Sequence, residues 1–216
     1  MPRYISPSIL AADFGNLEKE IRTINNSNAS WLHCDIMDGV FVPNISFGMP
    51  VVEMASRISG KPLDVHLMII EPDKYIDRFC DYGIDILTIH IEACKQPHHA
   101  IHRIRERGVK AGITLKPGTS LSAIEEIVPE VDIILVMSVE PGFGGQAFIE
   151  HTYKKVADLR NLLNQSGSNA MIQVDGGITL SNAGKLFEAG ADILITGTTV
   201  FKSEDPVLTI NKLLSA

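Results

Sequence analysis

Eight short runs rich in Val, Ile and Leu recur along the chain, and segments of helical periodicity separate several of them. The runs are YISPSIL, WLHCDIM, PLDVHLM, DILTIHI, KAGITL, DIILVMSV, AMIQVD and DILITG. Their apolar residues fall at consecutive as well as alternate positions, the pattern of a strand buried on both faces. Between them, IHRIRER (Ile101 to Arg107) has a 3.6-residue period. YKKVADLRNLLN (Tyr153 to Asn164) places Val156, Leu159, Leu162 and Leu163 on one stripe. SNAGKLFEAG (Ser181 to Gly190) opens on cap-type residues and stops at a glycine. Alternation of strand and helix requires a parallel sheet, because parallel neighbours need long crossovers. Sharing 216 residues among eight units leaves about 27 each. That suits an α/β fold, a single (β/α)8 TIM barrel over residues 1–216. An open doubly wound sheet fits less well, since no GxGxxG follows the first run and the count of eight is complete.

Composition narrows the function classes. The chain is 45% hydrophobic and 21% charged, ordinary for a globular protein. A formal net charge of −7 argues against a broad nucleic-acid surface, though not against a local anion site. Cys34, Cys80 and Cys94 form no CxxC pair and no disulfide framework, so a reducing, cytoplasmic setting is expected. MPRYISPSIL does not read as a signal peptide. No apolar run approaches the ~18 residues of a membrane span. Neither nucleic acid nor membrane is therefore expected as a partner.

In a parallel barrel the C-terminal strand ends build the active site. WLHCDIM puts His33, Asp35 and Met37 on one face, with Cys34 and Ile36 turned to the helices. PLDVHLM repeats the pattern with Asp64, His66 and Met68, and QVDGG ends the seventh strand at Asp175. Two imidazoles and two carboxylates would converge on one rim. Such ligands suit one divalent ion per chain, Zn²⁺ or Fe²⁺ foremost, with Mn²⁺ and Co²⁺ as alternatives. Taken singly, each His would read as a hydrogen-bonded core residue and each Asp as a cap; the shared parity favours a site. His90, near the end of the fourth strand, reads as support for a ligand or as packing. His98, His99, His102 and His151 read as solvated, and Asp38 as a turn residue before Gly39.

A second motif is VEPGFGGQ (Val139 to Gln146), whose glycines can expose backbone N–H groups near a helix start. DGGI (Asp175 to Ile178) and TGTTVF (Thr196 to Phe201) follow the seventh and eighth strands, where such barrels typically bind phosphate. KPGTS (Lys116 to Ser120) reads as a turn before a helix, with Lys116 solvated.

SPSILAADF, HCDIMDGVFVPN, DVHLM, MSVEPGFGGQ and VDGGI together resemble the ribulose-phosphate 3-epimerase family, in order, from about Ser6 to Phe201. The resemblance implies a (β/α)8 barrel with a divalent metal. It implies interconversion of D-ribulose 5-phosphate and D-xylulose 5-phosphate in the pentose phosphate pathway, through a 2,3-enediolate. His33, Asp35, His66 and Asp175 match the family's metal ligands, and Asp35 and Asp175 its acid/base pair. Ser8, His66, Met37, Met68 and Met137 match residues around the substrate. Gly142, Phe143, Gly144, Gly145, Gly176, Gly177, Gly197 and Thr198 match its phosphate loops. Val40, Ile91 and Thr198 depart from common family forms without removing a ligand or an acid/base group. A small sugar phosphate is the expected partner, and a homo-oligomer the expected assembly. The rivals are a 3-epimerase of a related ketose phosphate such as D-allulose 6-phosphate, a phosphate-binding lyase or synthase barrel, and a non-catalytic sugar-phosphate-binding barrel.

Overall fold

A computed structural model describes residues 2–216. All eight runs are strands: β1 (Tyr4–Pro7), β2 (Leu32–Met37), β3 (Leu63–Met68), β4 (Ile86–His90), β5 (Lys110–Leu115), β6 (Ile133–Met137), β7 (Met171–Asp175) and β8 (Ile193–Thr196). They form one sheet in the order β1-β8-β7-β6-β5-β4-β3-β2, each paired neighbour parallel. The two ends of that order meet: the Ser30 amide donates to the Ile5 carbonyl at 2.9 Å, and Ser8 bridges His33 in parallel. The sheet is thus a nearly closed (β/α)8 barrel. No helix among the described residues is long and apolar enough to cross a membrane.

The helices are α1 (Leu17–Asn25), α2 (Met49–Ile58), α3 (Ile76–Cys80), α4 (Pro97–Glu106), α5 (Thr152–Ser166), α6 (Ala183–Ala189), α7 (Thr198–Phe201) and α8 (Pro206–Leu214). On α5, Val156, Leu159 and Leu163 are fully buried, while Leu162 at the stripe's edge is only partly covered. Gly190 closes α6 in the left-handed region, as the glycine stop predicts.

One crossover departs from expectation. The segment after β5 holds two 3-10 turns, Leu121–Ala123 and Val128–Glu130, in place of a helix. Ser120 caps the first through its side chain, and Pro129 lacks the amide a continuing helix would need. β1 also stops short of its run. Ser8 accepts from the Leu10 amide at 3.3 Å, which turns Ile9–Ala11 into a 3-10 helix across the barrel mouth.

The period of two gives each strand an outward face that packs on the helices and an inward face of stacked apolar and polar layers. Cys34, Ile36, Val65, Leu67, Leu87, Ile89, Ile134, Val136, Ile172, Val174 and Leu194 point outward and join the helices in the main core. The inward residues form layers. Trp31, Ile86, Ile133 and Ile193 plug the N-terminal end. Above them lie buried polar side chains, Ser6, His33, Asp64, Thr88 and Gln173 among them, and these carry the site at the C-terminal rim.

Candidate active site

Register between β2 and β3 sets the centre of the site. His33 pairs with Asp64, Asp35 with His66 and Met37 with Met68. Because parallel partners stand side by side, the alternating His and Asp of one strand meet the Asp and His of the next. Asp35 Oδ1 lies 3.1 Å from His33 Nε2 and 3.1 Å from His66 Nδ1. Asp35 Oδ2 accepts from the Ser8 hydroxyl at 2.5 Å, a contact made possible by the Ser8–His33 bridge that closes the barrel. Asp175 arrives from β7. One donor atom from each of His33, Asp35, His66 and Asp175 lies within 4.8 Å of the other three. These four are the residues whose strand parity and motif match singled them out.

The remaining ring nitrogens are also tied. His33 Nδ1 is 2.7 Å from Asp64 Oδ2, which also accepts from Gln173 Nε2 and Ser6 Oγ. His66 Nε2 faces His90 Nε2 at 2.9 Å. Two imidazole nitrogens and two carboxylates, with His33, Asp35 and His66 each tied to a further side chain, are a donor set that fits a divalent transition metal.

The electrostatics argue for a cation as well. Burial, reinforced by the neighbouring Asp35 charge, pushes the Asp175 carboxyl up to about 8. Burial also pushes Asp35 up, but the charge of His33 and hydrogen bonds from His33 and His66 outweigh it and hold Asp35 well below the usual carboxylate range. Burial pushes His33 down, yet Asp64 and Asp35 raise it well above 6.5. Burial lowers His66 below 6.5. Two buried carboxylates that repel each other are stabilised by a bound positive charge.

Above the cluster opens a cavity of about 630 Å³. Its lining includes Ser8, Asp35, Met37, Met68, Met137 and Asp175, with His33 and His66 buried below. Gly142, Phe143, Gly144, Gly145, Gly176, Gly177, Gly197 and Thr198 line it too, so the glycine loops after β6, β7 and β8 meet at one end. Gly142, Gly145, Gly176 and Gly177 have φ of 134°, 73°, 116° and 61°. The methionines face the cavity from three strands and bring apolar, polarisable surface without hydrogen-bond donors.

Other expectations fall as follows. Asp38 is a turn residue: its carboxylate accepts from the amides of Val40, Phe41 and Ile70 at 2.8–2.9 Å. His98, His99, His102 and His151 are exposed. Lys116 is not simply solvated, since its ammonium sits 4.0 Å above the Phe41 ring. Asp64, on the inward face of β3 with His66, orients His33 through its Nδ1. Gln173, two residues before Asp175, and Lys202, which lines the cavity beside the glycine loops, drew no notice in the sequence.

The fold and the site together define an α/β-barrel enzyme whose His/Asp cluster can hold a metal ion. A sequence model of the ribulose-phosphate 3-epimerase family matches residues 4–201, and the chain belongs to that family, an isomerase family. It is 46% identical over 203 residues to the chloroplastic ribulose-5-phosphate-3-epimerase of Arabidopsis thaliana, covering 93% of this chain and 72% of the plant protein. It is 44% identical over 202 residues to the ribulose-phosphate 3-epimerase of Bacillus subtilis (strain 168), covering 93% of each. In fold it is similar to a mutant tryptophan synthase alpha-subunit from Pyrococcus furiosus, with a TM-score of 0.74, 100% of this chain and 98% of that one covered, and 12% identity. At that identity the likeness bears on the barrel alone.

Proposed function

We propose that this chain epimerises C3 of D-ribulose 5-phosphate to give D-xylulose 5-phosphate, and the reverse. Membership of the family supports the reaction. The observation that carries the mechanism is the pairing of Asp35 and Asp175 in one cluster, from strands separated by β1 and β8. Inverting a carbon next to a ketone needs a proton removed from one face and one delivered to the other. Asp35, held ionised, takes the C3 proton, leaving a 2,3-enediolate. Asp175, whose carboxyl is pushed up to about 8 by burial and the Asp35 charge in the metal-free cluster, is the group that returns a proton to the opposite face. The reverse reaction exchanges the roles.

His33, Asp35, His66 and Asp175 are the residues that would hold the metal, with Zn²⁺ or Fe²⁺ ahead of Mn²⁺ and Co²⁺ for this N/O donor set. When bound, such an ion supplies Lewis-acid stabilisation of negative charge on the substrate oxygens. The Ser8 hydroxyl fixes the Asp35 carboxylate. Met37, Met68 and Met137 cover the apolar side of the sugar. The loops around Gly142–Gly145, Gly176–Gly177 and Gly197–Thr198 present backbone amides to the phosphate, which anchors the sugar in register.

Cytoplasmic residence is supported by three buried free cysteines. A homo-oligomer is supported by Phe14, Val40 and Ile45, which stand exposed. The reaction is tested with purified protein and both ketose phosphates. The expected result is conversion of D-ribulose 5-phosphate with kcat/KM well above that for D-allulose 6-phosphate. Preference for the hexose would reassign the substrate, and absence of turnover with full metal loading would favour a binding barrel.

A further inference from the structure

The proposed metal site leaves one side-chain line unexplained. It starts at His66 Nε2, passes through the buried His90 and ends at Glu92, outside the cavity. His66 and His90 face each other through Nε2 atoms 2.9 Å apart, with ring centroids 4.9 Å apart and planes 27° apart. The rings therefore lie edge to edge and nearly coplanar, and a single hydrogen lies between them. Which ring carries it decides whether His66 Nδ1 faces Asp35 with a hydrogen or with a lone pair.

Two arrangements are available when each ring carries one hydrogen. In the first, His66 has Nε2–H, His90 Nε2 accepts it, and His90 has Nδ1–H. In the second, His90 has Nε2–H, His66 accepts it, and His66 has Nδ1–H directed at Asp35. His90 Nδ1 lies 3.1 Å from Glu92 Oε2. A carboxylate only accepts. The first arrangement gives Glu92 a donor, whereas the second sets a ring lone pair against a carboxylate oxygen. Asp35 Oδ1, 3.1 Å from His66 Nδ1, favours the second arrangement as long as no cation lies between them; Glu92 opposes it and favours the arrangement that leaves His66 Nδ1 free to ligate.

The fold holds Glu92 firmly to this task. Its other oxygen, Oε1, accepts from the Lys116 amide at 2.8 Å and the Thr119 hydroxyl at 2.5 Å, so Oε2 is the atom left for His90. Those two donors sit on a loop that Lys155 clamps from α5. The Lys155 ammonium donates to the carbonyls of Lys116, Pro117 and Thr119 at 3.2, 2.7 and 2.7 Å. Phe41 covers the His90 ring, with centroids 4.6 Å apart, and the Lys116 ammonium lies 4.0 Å from the Phe41 ring centre. Glu92 occupies an exposed stretch, yet its side chain is only 23% exposed.

We propose that Glu92 is a positioning residue for the metal site, acting through the His90 tautomer to aim the unprotonated Nδ1 of His66 at the Asp35 cluster. This rests on the reading of His33, Asp35, His66 and Asp175 as metal ligands. It assigns Glu92 no contact with substrate.

The test uses the full chain with histidine ¹⁵N-labelled and Zn²⁺ as the probe metal. In the zinc-loaded wild type, long-range ¹H–¹⁵N spectra are expected to give His90 as the Nδ1–H tautomer and His66 as Nε2–H. In metal-free Glu92→Gln the amide can offer N–H to His90 Nδ1, so the Nε2–H tautomer of His90 should gain population over the metal-free wild type. Competition with a chromophoric chelator should then give Zn²⁺ affinity about 10- to 100-fold weaker, the usual effect of losing a residue behind a ligand. Wild type that takes up no zinc would overturn the ligand reading and this inference with it. Zinc uptake with His90 as Nε2–H in the wild type, or with unchanged affinity in Glu92→Gln, would overturn the positioning role alone. Weaker affinity with unaltered tautomers would reduce Glu92 to general packing and also overturn it. Should Glu92→Gln fail to fold, Glu92→Asp, which draws the carboxylate back from His90 by one methylene, gives the same two readouts.

Discussion

His33 Nδ1 donates to Asp64 Oδ2 at 2.7 Å, between residues paired directly across β2 and β3 and both fully buried. The bond fixes the ring so that Nε2 faces Asp35 and the cavity floor. It follows that Asp64→Asn, which keeps the shape but weakens the acceptor, should lower Zn²⁺ affinity about 10- to 100-fold while the barrel still folds. Chelator competition measures the affinity and circular dichroism the fold. An affinity equal to wild type would mean that His33 needs no partner behind it.

Removal of metal should abolish epimerase activity. Four convergent N and O donors, two of them mutually repelling carboxylates, are the reason. After dialysis against a strong chelator, turnover of D-ribulose 5-phosphate is expected to vanish and to return with Zn²⁺, Fe²⁺, Mn²⁺ or Co²⁺. Full activity in protein measured to be metal-free would refute metal dependence.

The phosphate loops give two contrasting glycine variants. At Gly145 φ is 73°, and a Cβ would have only Thr198 Oγ1 nearby, at 3.8 Å. The side chain of Gly145→Val would stand between the two loops, where the phosphate is proposed to sit. KM should rise at least about tenfold, with little change in Tm beyond the strain of a positive φ, on the order of 1–3 kcal/mol. At Gly177 φ is 61°, and a Cβ would lie 2.8 Å from the Phe148 amide and 2.9 Å from the Gln146 carbonyl. Gly177→Ala must therefore move the β6 loop, and both Tm and KM should suffer. If Gly145→Val binds the sugar phosphate normally, the phosphate lies elsewhere.

These variants also separate what the sequence could reveal from what it could not. The eight strands were legible because each run is apolar, β-branched and bounded by turn residues. The inward parity of His33, Asp35, His66 and Asp175 was legible because a strand's period does not depend on its neighbours. The His33–Asp64 bond was not, because it needs the register between β2 and β3, which crossover geometry sets. Glu92 lies past the end of β4, where no period applies, and its partners Lys116 and Thr119 come 24 and 27 residues later. Lys155 reads as an ordinary helix lysine, yet its ammonium is turned inward onto three carbonyls. The missing helix after β5 misled for the opposite reason: Pro117 and Gly118 do make a turn, but Pro129 and the closeness of β6 leave only 3-10 geometry.

Acid should loosen the barrel through His90 and Glu92. Burial brings His90 from 6.5 down to about 4. Burial pushes Glu92 up, but bonds from His90, Thr119 and the Lys116 amide outweigh it and take it from 4.5 to about 2. Between pH 6.5 and 4 the unfolded chain binds a proton that folded His90 refuses, so stability falls as pH falls. Glu92 adds a loss between 4.5 and 2, because its depressed pKa stabilises the fold only above that window. His33, raised in the folded state, acts oppositely and loses its contribution as pH rises through its folded pKa. Comparison with His90→Gln isolates the first effect. In urea unfolding with chelator present, the wild type should lose on the order of 3 kcal/mol more than the variant between pH 7 and 4. Equal losses would show that His90 is free to protonate in the folded barrel.

The two carboxylates of the cluster can be told apart by isotope exchange. Asp→Ala would confound lost metal with lost proton transfer, because Asp35 and Asp175 are proposed to do both. In Asp→Asn the amide oxygen can still coordinate, but no proton is exchanged. Asp35→Asn and Asp175→Asn are each expected to lose at least ~10²-fold in turnover, the lower end of what a positioned acid or base supplies. Metal content is measured alongside, since only a loaded variant is informative. If each carboxylate serves one face of C3, Asp175→Asn retains Asp35 as base. It should then wash deuterium from D₂O into D-ribulose 5-phosphate without making D-xylulose 5-phosphate. Asp35→Asn should exchange only D-xylulose 5-phosphate. The two already differ before metal binds: against burial, the His33 charge holds Asp35 well below the usual carboxylate range, whereas burial and Asp35 push Asp175 up to about 8. Metal-loaded Asp175→Asn that epimerises at the wild-type rate would rule out the two-carboxylate mechanism for this chain.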